Sequence, residues 1–401
     1  MLLSLNFLKG LELNLKLRFI IGTTPFYVTR KTSELPNIVI CSNRQLKWQW
    51  TKLIITSAFA ALLWFQVVEG RSTQSLITTL ESLMNVFAIT IFILMNCVYL
   101  KRNRFLVNLF NSLIQYESNH PFDFTGIISK REKLVINYIQ FNGFMAAPVI
   151  IGAYVAQRWF TPCTSATLAW NVLDECFIEN PFENGFRWSF KSYIYLVVIV
   201  ILSWWILSDL LAGFAFQAVE VAYLQSACLV GYVKHFKQKL QNIGTATPKL
   251  ILEYQQLQIL TIYYNFIQQD VIISLMLTLI ICLTIVCSYV LIKLGSGISV
   301  SHFLFFSCAL VDSLATMVIC YGQFGCLHTQ STSVLTIIRS QIIPNVASAK
   351  ISYNDLKLMK KYVESFYPLK VQLGSVNFVE KITPLVSLQF CVEQLVNLLI
   401  I

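Results

Sequence analysis

Three polar side chains in the last apolar segment are the residues of this sequence best suited to act on an ion. Gln389, Glu393 and Asn397 follow one another at intervals of four residues, and residues four apart lie on the same face of an α-helix. An ionisable residue inside an apolar span is costly and is therefore a functional candidate by default. If several copies of this helix surrounded an axis, Glu393 would form an acidic ring that attracts cations.

Apolar residues lie on or beside the same stripe, namely Val386, Val396 and Ile400. Rungs of such residues can close a pore by excluding water. A second interpretation stays open, in which the helix is buried within its own bundle and Glu393 is protonated or hydrogen-bonded. The stripe thus predicts either a pore lining or a buried helix face.

A second group of candidate residues could bind a small molecule. Aromatic side chains are frequent in the outer halves of the apolar segments, and a cleft lined by them would suit a small apolar or amphipathic ligand. An interfacial aromatic belt has the same composition. Asp312, near the middle of its segment, would either bind a polar group of the ligand or brace a neighbouring helix. The pocket candidates are Tyr154, Tyr193, Tyr195, Tyr289, Phe305, Phe306 and Asp312.

The composition requires a membrane around these residues. Of the 401 residues, 56% are hydrophobic and 12% are charged, against roughly 45–50% and 25% in soluble domains. Apolar stretches long enough to cross about 30 Å of hydrocarbon predict an all-α, polytopic protein with a single seven-span domain. The predicted spans are 53–68, 82–100, 134–157, 192–212, 271–292, 303–327 and 376–401.

The positions of the cations predict the orientation. Segments 1–52, 101–133, 234–270 and 328–375 carry 8, 6, 4 and 6 Lys and Arg residues, whereas the three alternate segments together carry 5. Because cationic loops resist translocation, the N-terminus should be cytoplasmic and the C-terminus extracellular. The net charge of +10 then reflects topology, and a nucleic-acid partner is not expected.

Amphipathic patterns extend several spans beyond the membrane. Apolar residues recur at helical spacing between 250 and 267 and again between 351 and 367, which is typical of helices with one wet face. We expect a cytoplasmic helical layer over about 213–270 and 328–375. This layer is either a platform for oligomerisation or a set of linkers that pack only on their own bundle.

The sequence offers little other chemistry. No nucleotide-binding loop, hydrolase elbow or zinc-binding motif occurs, so we expect no enzyme activity, no cofactor and no metal site. Cys163 and Cys176 both fall in the long outside segment 158–191, where oxidising conditions permit a disulfide. Two free thiols are the alternative there.

The length, the predicted topology and residues 371–401, VQLGSVNFVEKITPLVSLQFCVEQLVNLLII, resemble the arthropod (insect-type) gustatory and odorant chemoreceptor superfamily. The family motif in the last span is T-Y, five apolar residues and Q-F. Gln389 and Phe390 match its end, but Ile382 and Thr383 stand upstream, with Pro384 among the five. A second register places the polar position at Asn397, followed by Leu398. The chain is therefore similar to a divergent member.

The resemblance implies a ligand-gated, non-selective cation channel in the plasma membrane, assembled as a homo-tetramer or as a hetero-tetramer with a related co-receptor. Span seven of each subunit would line the pore, and spans two to six would bind a small-molecule tastant or odorant. Two alternatives are a seven-span G-protein-coupled receptor, which needs the opposite orientation, and a transporter or structural membrane protein, which should show inverted repeats.

Overall fold

A computed structural model describes most of the chain outside spans three and four. The described ranges are 26–29, 37–40, 43–69, 76–120, 228–243, 247–298, 300–342, 353–375 and 377–400, with the single positions 133, 137, 194, 197, 198 and 201. The predicted spans 134–157 and 192–212 and residues 213–227 of the predicted layer thus lie almost entirely outside the described residues.

Helices dominate the described chain, accompanied by two short antiparallel hairpins. The strands are β1 (Phe26–Thr29), β2 (Asn37–Ile40), β3 (Gln372–Leu373) and β4 (Asn377–Phe378). The helices are α1 (Asn43–Glu69), α2 (Leu76–Lys101), α3 (Asn103–Asn119), α4 (Val230–Ile243), α5 (Pro248–Gln268), α6 (Ile272–Lys293), α7 (Val300–Thr316), α8 (Gly322–Ile342), α9 (Tyr353–Ser365) and α10 (Thr383–Ile400).

Five helical segments among the described residues are long and apolar enough to cross a membrane. They are α1, α2, α6, the continuous helix of α7 and α8, and α10. The observed α6 differs from the predicted span 271–292 by one residue at each end. α1 begins ten residues before the predicted span because its first turns contain Lys47 and Lys52, which lower the hydropathy without ending the helix.

The helix of span six continues past the predicted boundary at 327: α7 and α8 are joined by a π-helical turn, Met317–Tyr321, and the resulting helix runs on to Ile342. One predicted boundary requires correction. Span seven begins at Thr383 rather than at 376. The apolar residues just before it, including Val371, Phe378 and Val379, belong to an extended segment and are buried or half-buried against helices.

Within the membrane, α6 is the central helix, and it contacts α2, α7 and α10. Polar side chains reinforce the packing at a few points. Trp64 Nε1 of α1 donates to Thr90 Oγ1 of α2 at 2.9 Å, and Thr284 Oγ1 of α6 lies 3.0 Å from Ser313 Oγ of α7. Tyr321 in the π-turn donates its hydroxyl to the carbonyl of Ile273 at 3.1 Å. Such interhelical bonds each add modest stability in lipid.

α3, α4, α5 and α9, which are not among the candidate spans, pack with residues 328–342 of α8 into one continuous core, which we call the basal layer. Its centre contains fully buried side chains, among them Tyr232, Phe236, Tyr254, Leu257 and Tyr264. The three cation-rich segments 101–133, 234–270 and 328–375 therefore meet at one end of the bundle, as far as they are described. α3 is an addition to the predicted layer, in which 101–133 was a loop.

A buried ion pair lies between α4 and α5 of the basal layer. Lys239 Nζ is 2.6 Å from Glu253 Oε2, and the Glu253 side chain is only 1% exposed. His120, which follows the last residue of α3, has its Nδ1 atom 3.8 Å from the other carboxylate oxygen of Glu253. Nearby, Tyr232 donates its hydroxyl to Glu117 at 2.8 Å. These contacts join α3, α4 and α5 through polar groups inside an otherwise apolar core.

An extended segment, described at residues 366–375 and 377–379, connects α9 to α10, and we call it the strap. Its backbone is held by side chains of α5 and α8: Gln258 Nε2 donates to Tyr367 O at 3.1 Å, and Ser331 Oγ donates to Leu369 O at 3.1 Å. The β3–β4 hairpin then turns at Gly374, whose φ of +66° is accessible to glycine at little cost.

A second glycine permits the close approach of the chain just before α10 to α8. A Cβ on Gly325 would lie 2.3 Å from Lys381 N and 2.4 Å from the Glu380 carbonyl carbon. Both neighbours are backbone atoms and cannot rotate away. The start of α10 therefore docks directly against the backbone of α8.

We expect Gly325→Ala to lower the stability of the folded chain by about 1–3 kcal/mol, because the added methyl group overpacks a backbone contact. Gly322→Ala is the matched control, since nothing lies within 4 Å of its Cβ position. Thermal unfolding in detergent, followed by fluorescence-detected size exclusion, measures both variants. Equal melting temperatures for the two variants would contradict the close approach.

We expect Lys239→Met to destabilise the basal layer by about 2–3 kcal/mol, because Glu253 would stay buried without its cation. Lys360→Met is the control, since the side chains of Lys360 and Glu364 are 69% and 65% exposed and such pairs contribute about 0–1 kcal/mol. The same thermal unfolding assay separates them. Indistinguishable melting curves would show that the buried pair contributes no more than the surface pair.

Candidate functional site: the α10 stripe and the outer aromatic cluster

The first turn of α10 is built from residues suited to a helix start. Pro384 lies within it, where a missing N–H costs no intrahelical hydrogen bond. Thr383 Oγ1 accepts a hydrogen bond from Glu380 N at 2.9 Å, and the amides of Leu385 and Val386 bond to the carbonyl of Ile382. This start is fixed on Gly325 of α8, so the rotation of α10 about its axis is defined at that end.

One face of α10 packs on the rest of the chain. Its buried residues are Pro384, Ser387 and Cys391, which lie at helical spacing and meet α6, the π-turn and α8. Only 17% of the apolar window of α10 is buried, against 39% for α2. α10 is thus the least covered of the five candidate spans among the described residues.

All eight candidate pore residues lie on the uncovered part of α10. Gln389, Glu393 and Asn397 are exposed, and Gln389 Nε2 donates to Glu393 Oε1 at 3.0 Å along the stripe. The exposed apolar candidates are Val386, Phe390, Val396, Leu398 and Ile400. Within the described chain, the stripe is therefore not covered by its own bundle, unlike in the second interpretation of the sequence.

The C-terminal end of α10 is attached to α6. Lys293 Nζ lies 3.4 Å from the carbonyl of Leu399, in the last turn of the helix. A cation beside a helix C-terminus interacts favourably with the exposed carbonyl groups and the helix dipole. α10 is consequently held at both ends, while its polar stripe stays exposed.

Two of the pocket candidates belong to an apolar cluster formed by α2, α6 and α7, which we call the outer cluster. Phe306 is fully buried there with Met84, Cys287 and Val290, and Tyr289 packs at its edge. Phe305 points away and is 44% exposed, although its ring meets that of Phe306 edge-on at 5.4 Å between centroids. The structure thus brings Tyr289 and Phe306 together and places Phe305 outside.

Asp312 is exposed on α7. Its neighbour Ser313 is the residue that bonds α7 to α6, through Thr284. The sequence pattern indicated the carboxylate of Asp312 as a candidate, whereas the hydrogen bond between the two helices is made by the hydroxyl group of the next residue, Ser313. No periodicity marks such a contact, because it depends on which faces of two distant segments meet.

The remaining candidates lie outside the described residues, namely Tyr154, Tyr193, Tyr195, Cys163 and Cys176. Among the residues that are described, no group of three or more His, Cys, Asp or Glu side chains is arranged to hold a metal ion.

The fold is similar to solved structures of an insect receptor. The olfactory receptor OR5 from Machilis hrabei superimposes with a TM-score of 0.62 at 11% identity, covering 98% of this chain and 97% of that one. The same receptor in complex with eugenol superimposes with a TM-score of 0.62 at 12% identity and the same coverage. No family model matches the sequence, and no curated protein matches it significantly.

The chain therefore has an insect chemoreceptor-type fold along nearly its full length, as the resemblance in the sequence predicted. Both similar structures are those of an olfactory receptor. At 11–12% identity, the likeness concerns the fold alone.

We expect Phe306→Ala to destabilise the chain by about 1–3 kcal/mol, since a fully buried ring is lost; the cost is below that in a soluble core because lipid is itself apolar. Phe305→Ala removes an identical ring that is 44% exposed and should cost much less. Thermal unfolding in detergent compares them. A larger loss of stability for Phe305→Ala than for Phe306→Ala would contradict the assignment of Phe306 as the buried ring of the outer cluster.

Proposed function

We propose that this chain, with its insect chemoreceptor-type fold, is a chemosensory receptor of the gustatory or odorant type that acts as a ligand-gated, non-selective cation channel. Four subunits would surround a central pore, either four copies of this chain or copies together with a related co-receptor. The protein would lie in the plasma membrane with a cytoplasmic N-terminus. The observation that carries the proposal is the polar stripe on α10, the least covered of the candidate spans in the described part of the chain.

The energetics of the stripe favour water over lipid as its neighbour. A carboxylate facing hydrocarbon costs roughly 3 kcal/mol on insertion scales, and Glu393 is exposed beside Gln389 and Asn397. An axial, water-filled path shared by several subunits removes this cost. Four Glu393 side chains would then attract cations, and Val386, Val396 and Ile400 would form apolar rungs that close the path by dewetting.

The basal layer has exposed apolar surface through which subunits could associate. It is a continuous packed body outside the membrane, and α5 still exposes the apolar side chains Leu252, Ile259, Ile262 and Phe266. Apolar surface of this kind in a water-facing region is typical of protein interfaces. We propose that subunits associate through the basal layer while each α10 stays free to line the pore.

The ligand is proposed to bind beside the outer cluster. Eugenol, an aromatic small molecule, is bound in one of the similar structures, and Tyr289, at the edge of the outer cluster in α6 of this chain, supplies aromatic surface beside the buried ring of Phe306 in α7. α6 contacts α10 directly, and α7 contacts α6. A ligand would open the channel only to the extent that it binds the open arrangement more tightly than the closed one.

We expect Glu393→Gln to lower single-channel conductance and the preference for cations over chloride, without preventing assembly. The physical reason is the loss of four negative charges at the proposed pore. Patch-clamp recording of cells expressing the chain alone, with eugenol and a panel of tastants and odorants applied, measures conductance and reversal potential.

Glu364→Gln is the control, because Glu364 is an exposed carboxylate of the basal layer and lies off the proposed pore. An unchanged conductance and reversal potential in Glu393→Gln would remove Glu393 from the pore. A surface-localised chain that carries no current with any compound would count against a channel formed by this chain alone.

A further inference from the structure

The backbone is interrupted where the basal layer meets the membrane. α5 ends at Gln268 and α6 begins at Ile272, and the last regular bond of α5 runs from Gln269 N to Asn265 O at 2.8 Å. A helix end leaves its final carbonyl groups without intrahelical donors. The carbonyls of Phe266, Ile267 and Gln269 therefore need donors from elsewhere in the chain.

Arg102 supplies two of these bonds. This residue is the single turn position between α2 and α3, and its guanidinium donates to Phe266 O and to Ile267 O, the latter at 3.3 Å. It also pairs with Asp270 Oδ2 at 2.6 Å and lies 5.0 Å above the Phe266 ring. A cation at a helix C-terminus with several charge-assisted bonds is a strong attachment.

The ion pair within this attachment is stable near neutral pH. The hydrogen bond from Arg102 holds the pKa of the Asp270 carboxyl below its ordinary value. Asp270 therefore stays ionised, and it keeps the planar guanidinium oriented toward the two carbonyls. Tyr99, one turn earlier in α2, adds a buried hydrogen bond with Gln268, 3.0 Å between Gln268 Nε2 and the hydroxyl.

The strap supplies the third bond. Gly374 N donates to Gln269 O at 2.9 Å, in the turn that requires its positive φ. Asn265 fixes the strap on the same side, because its Nδ2 donates to Lys370 O at 2.8 Å and its Oδ1 accepts from Gln372 N at 3.1 Å. The break between α5 and α6 is thus shared by the end of α2 and by the segment that leads to α10.

We propose that Arg102 is a positioning residue for the pore helix, in a joint formed by Arg102, the Gln269–Val271 break and the Gly374 turn. A displacement of α2 or α6 moves this break, and the strap bonded to it carries the displacement to the start of α10. The strap transmits this motion because its backbone is bonded to α5 on one side and to α8 on the other. This inference rests on the proposed channel function, since it assigns α10 as the moving part.

Amide hydrogen exchange of the full chain in lipid nanodiscs tests the joint without a ligand or a current. Arg102→Gln should accelerate exchange over 266–274 and 370–382 by about tenfold or more, the loss expected when charge-assisted bonds are removed. Exchange over 230–243 of α4 should not change. Arg104→Gln is the matched control, because Arg104 is exposed two residues further along, and it should leave all these segments unchanged.

Two results would overturn the proposal: unchanged exchange over 370–382 in Arg102→Gln, or an equal acceleration throughout α4, which indicates general loosening. If Arg102→Gln does not fold, Arg102→Lys replaces it. Lysine keeps the charge but lacks the forked donors, so the same segments should exchange faster by a smaller factor. Wild-type exchange in Arg102→Lys would then reject the joint.

Current recordings with eugenol and the compound panel supply the functional readout. Arg102→Gln should change the open probability at saturating agonist and leave single-channel conductance unchanged, whereas Glu393→Gln should change conductance. A change in both for Arg102→Gln contradicts a positioning role. If the wild-type chain carries no current, this result contradicts the proposed channel function but not the joint. The exchange measurement tests the joint independently of any current.

Discussion

The constraint behind this structure is that backbone polar groups cannot stay unsatisfied in hydrocarbon. The five candidate spans of the described chain are accordingly helical throughout, and the π-turn of span six keeps its bonds within the helix. In the described chain, the backbone is irregular at Arg102, at the break after α5 and along the strap. At these three places hydrogen bonds from other parts of the chain satisfy backbone carbonyl groups. Backbone carbonyl groups that have no partner within their own helix at these points accept hydrogen bonds from other segments, and these bonds connect the spans.

The need to satisfy polar groups also explains why some helices are more buried than others. α6 is packed by α2, α7 and α10, so its polar side chains, such as Thr284, bond inside the bundle. α10 is packed on one face and held at its two ends by Gly325 and Lys293. A helix fixed at both ends but exposed along one stripe can face a partner or water without loss of its position in the subunit.

The sequence predicts the parts of the fold that depend on local pattern. The α6 boundaries follow from an uninterrupted apolar run, and the α10 stripe follows from spacing by four. α3 was missed although its buried apolar residues, among them Leu106, Phe110 and Leu113, recur at helical spacing; this amphipathic pattern is the signal that could have found it. The start of span seven was placed early because Phe378 and Val379 are apolar, although they are half-buried and buried in the strap. Contacts such as that of Arg102 with Ile267, 165 residues apart, have no local signal.

The same division explains how the fold persists at 11–12% identity to the receptor structures. Lipid-facing and core positions require only apolar residues of suitable size, and many sequences satisfy them. The joint is different, because two carbonyls and a carboxylate require a forked cation and a tight turn requires Gly374. Function in turn depends on a few positions grafted onto the scaffold. In the function proposed for this chain they are polar residues at positions where an apolar residue would be more stable in lipid, and that energetic cost is the physical reason for the proposal.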